Sequence, residues 1–286
     1  MTTIRKIRRV LKSKPAIEGA GVHLRRVFGF NEVPLLDPFL LLDDFRSDIP
    51  EHYLKGFPFH PHRGIETITY VLKGDVEHSD SLGNKGVIGS GDVQWMTAGS
   101  GIIHQEMPKG DVQGCMYGFQ LWANLPTGDK MMDPRYQELQ SGEIPVVEDS
   151  SGATIKIIAG EVAGVKGPVR DIIIDPEYLD VTVPAHSSLS RATRRGHTVL
   201  AYIFEGHGVF SGENAPQASN GILVQFEDGD EIRVRTDARS VRFLLISGKP
   251  LGEPVAWKGP IVMNTQKELD VAFEEYRLGK FIKTNG

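Results

Sequence analysis

The feature that most constrains this chain is a phrase of strand and turn written twice. Tyr70-Val71-Leu72-Lys73-Gly74 recurs as Tyr202-Ile203-Phe204-Glu205-Gly206, and Gly91-Asp92 recurs downstream as Gly229-Asp230, each opening another strand. A strand closed by a glycine turn, an intervening hairpin, and then Gly-Asp before a further strand describes one antiparallel barrel built two times. The other strand-like segments agree. Residues 65–72, 93–97, 155–159, 172–174, 200–204, 231–235 and 241–246 are short, rich in Val, Ile, Thr and aromatics, and bounded by Gly, Asp or Asn. Thirty-two glycines in 286 residues supply the tight turns such a fold needs. A cluster of turn residues over 135–150 places the division between a domain of residues 1–140 and one of 141–286. One helix is expected, at about residues 265–279: Thr265 and Glu268 form a capping box, Leu269, Phe273 and Tyr276 repeat at helical spacing, and Gly279 is the stop. The fold class is all-β with a C-terminal helix.

Composition narrows the functions. A net charge of −5 argues against a broad nucleic-acid footprint. The basic stretch from Arg5 to Arg9 is read as part of a first strand with its charges in water, and Arg191 to Arg195 as a solvated loop. A single cysteine, Cys115, excludes a disulfide framework and is read as a buried, inert thiol. The longest apolar runs, 38–42 and 172–174, are too short for a bilayer, and the N-terminus lacks the apolar core of a secretory signal. A cytoplasmic chain with no membrane association is expected. Gly99-Ser100-Gly101 lacks the following Lys-Ser/Thr of a phosphate loop and leads into a strand, so no nucleotide site is expected.

The chemistry-bearing residues fall in two pairs. His60-Pro61-His62 stands just before one strand and His104-Gln105-Glu106 just after a glycine-rich turn. In extended chain, residues i and i+2 point to one side, so each pair can converge on a point, and neighbouring strands could bring both pairs to one ion. Three imidazoles and a carboxylate suit a divalent transition metal (Fe, Mn, Co, Ni, Cu or Zn) and leave coordination positions open. Glu66 competes for the carboxylate's place. It lies four residues after His62, where the general cupin pattern carries its acid, with Gly74 as the following glycine. Its other role would be to hydrogen-bond a ligand imidazole from behind. His23, His52 and His78 have no sequence partner and stay unassigned.

At these residues the sequence resembles the pirins, a family of bicupins. Carrying the resemblance are Leu36-Asp37-Pro38-Phe39-Leu40 with Asp43-Asp44-Phe45, the run from Phe57 through His60-Pro61-His62-Arg63-Gly64 to Thr67, and the run from Gly91 to Pro108. Gln120-Leu121-Trp122-Ala123-Asn124-Leu125 and Gly259-Pro260-Ile261-Val262-Met263-Asn264 extend it. The resemblance implies two cupin (double-stranded β-helix, or jelly-roll) barrels packed face to face. It also implies one metal per chain, Fe(2+), in the first barrel, held by His60, His62, His104 and Glu106 rather than Glu66. Aligning the two copies puts Ala192, Arg194, Arg242 and Leu244 where those ligands stand, so no metal is expected in the second.

The same resemblance implies an activity. Pirins are similar to quercetin 2,3-dioxygenases, in which a flavonol loses its 3-hydroxyl proton, reacts with O2, opens its heterocyclic ring and releases carbon monoxide. Glu106 is then the base, and Phe57, Phe59 and Met107 are candidates to shape an aromatic pocket, while Trp95 and Met96 are read as barrel core. The alternative implied by eukaryotic pirins is an iron-dependent regulator that binds a transcription factor or a metabolic enzyme. No direct nucleic-acid contact is expected in either case.

Overall fold

The computed structural model describes residues 2–171, 173–212 and 215–283. The chain resolves into two compact units: residues 14–141 with 251–286, and residues 1–13 with 142–250. They differ from a sequential division at residues 140 and 141, because the two ends of the chain exchange units. The reason is strand pairing at one end and side-chain anchoring at the other.

The unit of residues 14–141 and 251–286 contains two main antiparallel sheets and a two-stranded one, Ala256–Lys258 with Ile261–Met263. Strands β2 (Lys14–Glu18), β3 (Val22–Phe28), β4 (Phe39–Ser47), β6 (Ile65–Lys73), β9 (Val93–Thr97), β11 (Met116–Asn124) and β12 (Arg135–Leu139) form the larger, in the order β12-β9-β6-β11-β4-β3-β2. The smaller has the order β5-β10-β7-β8, from β5 (Phe57–His62), β7 (Asp75–Asp80), β8 (Lys85–Ile88) and β10 (Ile102–Lys109). Alternation of buried and half-buried residues along β10 gives it one face inside the barrel, as a period of two requires. By contrast β6 is buried at seven of nine positions, because it runs through the middle of its sheet. Leu40, Ile65, Met96, Ala98, Ile102 and Val262 pack as one core cluster, and Trp95 is buried too.

The C-terminal segment belongs to this unit. Helix α1 (Gln266–Arg277) starts at the expected box: Thr265 Oγ accepts from the Glu268 amide at 3.3 Å and the Glu268 carboxylate accepts from the Thr265 amide at 2.8 Å. Its buried stripe is Leu269 and Ala272, with Phe273 packed against them, whereas Tyr276 is 39% exposed and meets Phe281 edge-on. Buried Arg63 anchors the helix by pairing with Glu275 at 2.7 Å and donating to the Phe281 carbonyl at 2.8 Å. That contact explains why the helix joins residues 14–141.

In the other unit, β1 (Ile7–Lys12) pairs antiparallel with Ile222–Phe226, which continues through Thr198–Phe210, Val241–Gly248, Glu177–Val183 and Thr154–Ala159 to Val146–Glu148. Ser188–Ala192 pairs with Glu231–Arg235. The expected strand at 172–174 does not form: Ile172 lies outside the described residues, and Ile173 and Ile174 sit in a bend. Where alignment of the copies set Arg242 opposite His104, that residue makes a two-pronged ion pair with Asp180 at 2.9 and 2.6 Å.

One N-terminal charge departs from the expected solvated strand. Lys6 and Arg8 are exposed, but Arg5 is 1% exposed. Its guanidinium donates to Thr193 Oγ at 2.7 Å and to the carbonyls of Glu227 at 2.8 Å, Arg194 at 2.6 Å and His197 at 3.3 Å, with Asp228 3.3 Å away. Only a planar fork of donors can serve so many acceptors at once. Arg5→Ala is expected to cost about 3–5 kcal/mol, since it orphans several buried oxygens. Arg5→Lys should recover only part of that loss. An Arg5→Ala denaturant midpoint equal to the wild type's would show that this network does not hold the N-terminus. Among the described residues, no helix is long and apolar enough to cross a membrane.

Candidate metal centre

Strands β5 and β10 pair antiparallel with His104 directly opposite His60 and Ile102 opposite His62. His60 Nε2 lies 3.0 Å from His62 Nε2 and 3.0 Å from His104 Nε2, and the three ligand atoms all fall within 4.8 Å of one another. The opposite ring nitrogens set the tautomers. His60 Nδ1 is 2.9 Å from the Pro58 carbonyl and His62 Nδ1 is 3.1 Å from the Pro260 carbonyl, and a carbonyl only accepts. Both rings therefore carry their proton on Nδ1 and turn an Nε2 lone pair toward the same point.

Lone pairs 3.0 Å apart repel unless a proton or a cation lies between them. Burial disfavours a second proton on these rings: it pushes all three imidazoles below the ordinary histidine range, those of His62 and His104 well below, so no proton bridges the His60 and His62 Nε2 atoms. Three neutral, converging imidazole donors fit a borderline transition ion and suit Mg or Ca poorly. The backbone carbonyls behind His60 and His62 are the outer partners that such ligands commonly have. Trp122 adds an edge-on contact to the His62 ring at 5.0 Å.

Glu106 follows on the same face of β10. Its carboxylate lies outside the set of mutually close ligand atoms and is 2.9 Å from Thr69 Oγ. Burial raises it to about 7. Glu66 is placed elsewhere. It sits opposite Thr97 in the β6–β9 register and accepts from Thr97 Oγ at 2.7 Å, with no hydrogen bond to a ligand imidazole among the described residues.

A cavity of about 730 Å³ opens beside the histidines, lined by His60, His62, Glu106 and an apolar wall that includes Phe30, Phe45, Phe57, Trp122 and Trp257. Of the three expected pocket residues, only Phe57 lines it. The pairing shifts register between His104 and Glu106, so that β5 advances from His60 to Phe57 while β10 moves two residues. This irregularity turns Phe59 outward, where it is 57% exposed. Met107 neighbours Glu106 in sequence, so alternation carries it to the other face of β10, close to Gly56. Cys115 is half-buried rather than buried, in a turn where Asp111 accepts from its amide at 2.9 Å.

Several residues here escaped sequence reasoning. Trp257 and Pro260 arrive from the far end of the chain; the Gly259–Asn264 string contained Pro260, and no signal marked Trp257. His78 is buried on β7 beside His104, ring centroids 5.3 Å apart, with Asp80 3.4 Å from its Nε2. Its signal was the His-x-Asp spacing on an alternating strand.

Comparison with known proteins places the chain. The family model described as Pirin matches residues 21–123, and the one described as Pirin C-terminal cupin domain matches residues 178–282. This chain belongs to the pirin family. A pirin-like protein of Caulobacter vibrioides is 42% identical to it over 97% of this chain and 99% of its own. Pirin-1 of Arabidopsis thaliana is 44% identical over 96% and 93%. Among solved structures, a quercetin 2,3-dioxygenase from Acinetobacter baumannii superposes with a TM-score of 0.89 at 32% identity, covering 97% of this chain and 98% of that one. The two units of this pirin are thus cupin domains, and the three-histidine group is placed in the first of them.

Proposed function

We propose that this pirin is a metal-dependent dioxygenase that opens the heterocyclic ring of a flavonol such as quercetin with O2 and releases carbon monoxide. The observation that carries the reading is the convergence of three imidazole nitrogens beside an aromatic-lined cavity that His60 and His62 line. The similarity to a quercetin 2,3-dioxygenase supports it. His60, His62, His104 and Glu106 would hold the ion, Fe(2+) in our reading, with Glu106 leaving Thr69 to supply the fourth protein donor. When bound, the ion supplies Lewis acidity that lowers the pKa of a coordinating hydroxyl, and a redox partner for O2.

The remaining steps belong to the protein. Phe57, Trp122 and Trp257 stack against flat rings and keep water from the reacting face. Glu106, desolvated and tied in the metal-free chain only to the Thr69 hydroxyl that it gives up, accepts the flavonol 3-hydroxyl proton. The Pro58 and Pro260 carbonyls keep the His60 and His62 Nε2 atoms aimed and unprotonated.

Anaerobic loading with Fe(II), followed by quercetin and oxygen, should bleach the flavonol absorbance and release carbon monoxide. Full metal occupancy without turnover, for any transition metal, would overturn the enzymatic reading and favour a metal-dependent regulator. Glu106→Gln should keep much of the bound metal yet lose turnover by about 10²–10⁴-fold, the usual weight of a positioned base. Unchanged turnover in that variant would remove Glu106 from the base role.

A further inference from the structure

The larger sheet carries a feature that the metal chemistry does not use. Thr69, Gln120, Asp43 and Arg26 stand directly opposite one another on β6, β11, β4 and β3, and all four line the cavity. Neighbouring strands are about 4.8 Å apart, so this row runs roughly 14 Å across an otherwise aromatic wall. One end meets the metal site, where Thr69 Oγ is 2.9 Å from Glu106. At the other end Arg26 pairs with Glu18 at 2.8 Å.

Its hydrogen-bond inventory is lopsided. Thr69 has one hydroxyl proton for two acceptors, Glu106 at 2.9 Å and the Gln120 side-chain oxygen at 2.6 Å. Arg26 could balance the row, but its fork is committed. Nε and Nη2 go to the two oxygens of Asp43 at 2.9 and 2.8 Å, and Nη1 goes to Glu18. Two carboxylates face this one cation, so the far end of the row has surplus acceptors and no net positive charge to attract an anion. Asp43 itself is 5% exposed, which makes its remaining acceptor capacity part of the cavity rather than of bulk water.

We propose that the row Thr69–Gln120–Asp43–Arg26 is a specificity strip that takes planar aromatic ligands bearing hydroxyl donors on the ring remote from the metal. This rests on the reading of the cavity as a flavonol site. A flat ligand with one end at the histidines lays its edge along the strip, and its distal phenols accept from the Gln120 side-chain NH2 and donate to Asp43. A ligand lacking those hydroxyls leaves desolvated acceptors unmet, the situation in which a polar site discriminates most strongly.

The test is binding without turnover, so failure of dioxygenation and failure of the strip are separable. Zn(II)-loaded protein is titrated anaerobically with quercetin and with galangin, the flavonol that has no hydroxyl on its pendant ring, following tryptophan fluorescence. Wild type should prefer quercetin by about tenfold or more, as one or two well-made hydrogen bonds provide. In Gln120→Met and Asp43→Asn that ratio should fall toward one, with zinc content and melting temperature reported for each variant as the check on folding. A wild-type ratio near one overturns the proposal. So does a tenfold preference that survives in either variant when it retains zinc and a cooperative melt. The two substitutions guard against one of them failing to fold.

Discussion

His104→Ala is expected to abolish tight metal binding, with a loss beyond the roughly 100-fold that follows from disturbing an outer partner of a ligand. The reason lies in its place in the cluster. His104 is fully buried, stands opposite His60 in the strand register, and brings its Nε2 to 3.0 Å from that of His60. Without it, the set of three close donors is reduced to the two carried by β5. The stability readout is asymmetric. In the metal-free protein the deletion leaves a small cavity, so the melting temperature should fall by the ordinary cost of losing a buried side chain. In the wild type, added metal should raise the melting temperature with the logarithm of its concentration over Kd, and in the variant that increment should vanish. Equilibrium dialysis against Zn(II) and paired melts check both statements. A variant that still takes up one ion per chain with near-wild-type affinity would mean that the ion sits elsewhere.

Gly64→Ala is expected to be the most damaging one-carbon change in this unit, at about 3 kcal/mol or more. Gly64 adopts φ +77, and a Cβ placed there would lie 2.0 Å from the Val262 carbonyl oxygen. The clash is with backbone, so no rotamer relieves it. Residues 260–262 must therefore move, and they include Pro260, whose carbonyl accepts from His62 Nδ1 at 3.1 Å. Lys130 adds to the cost: its buried ammonium holds the Gly64 carbonyl at 3.0 Å, Asn124 Oδ1 at 2.7 Å and the Val262 carbonyl at 3.3 Å, bracing the same corner. The variant should melt earlier even without metal and should bind metal more weakly than wild type. An unchanged metal-free melt would show that the C-terminal segment can shift freely, and would separate it from the support of His62.

The legible parts of the site were those written in local spacing. His60, His62 and His104 could be picked out because alternation in a strand is a two-residue rule, and the strand register then joins the two segments. Glu66 competed for the ligand's place for an equally local reason. Its spacing after His62 fits a ligand pattern, yet its cross-strand neighbour is Thr97, and a neighbour across a sheet has no signature in the linear order. Phe59 and Met107 illustrate the limit from the other side. Both adjoin ligands in sequence, but a register shift turns one to solvent and strict alternation turns the other away from the cavity.

Sequence alone determined that this protein is a duplicated β-barrel chain with a capped terminal helix, and that one copy carries three histidines able to meet. Those features depend on periodicity, turn chemistry and self-similarity, all of which act over a few residues. Only the tertiary structure decided which unit each end of the chain joins, that Arg5 is buried, and that Trp257 and Pro260 line the metal cavity. It also decided that Thr69, Gln120, Asp43 and Arg26 form one polar row. Each of these is a contact between residues far apart in sequence, selected by the free energy of burying and pairing groups whose partners no local pattern names.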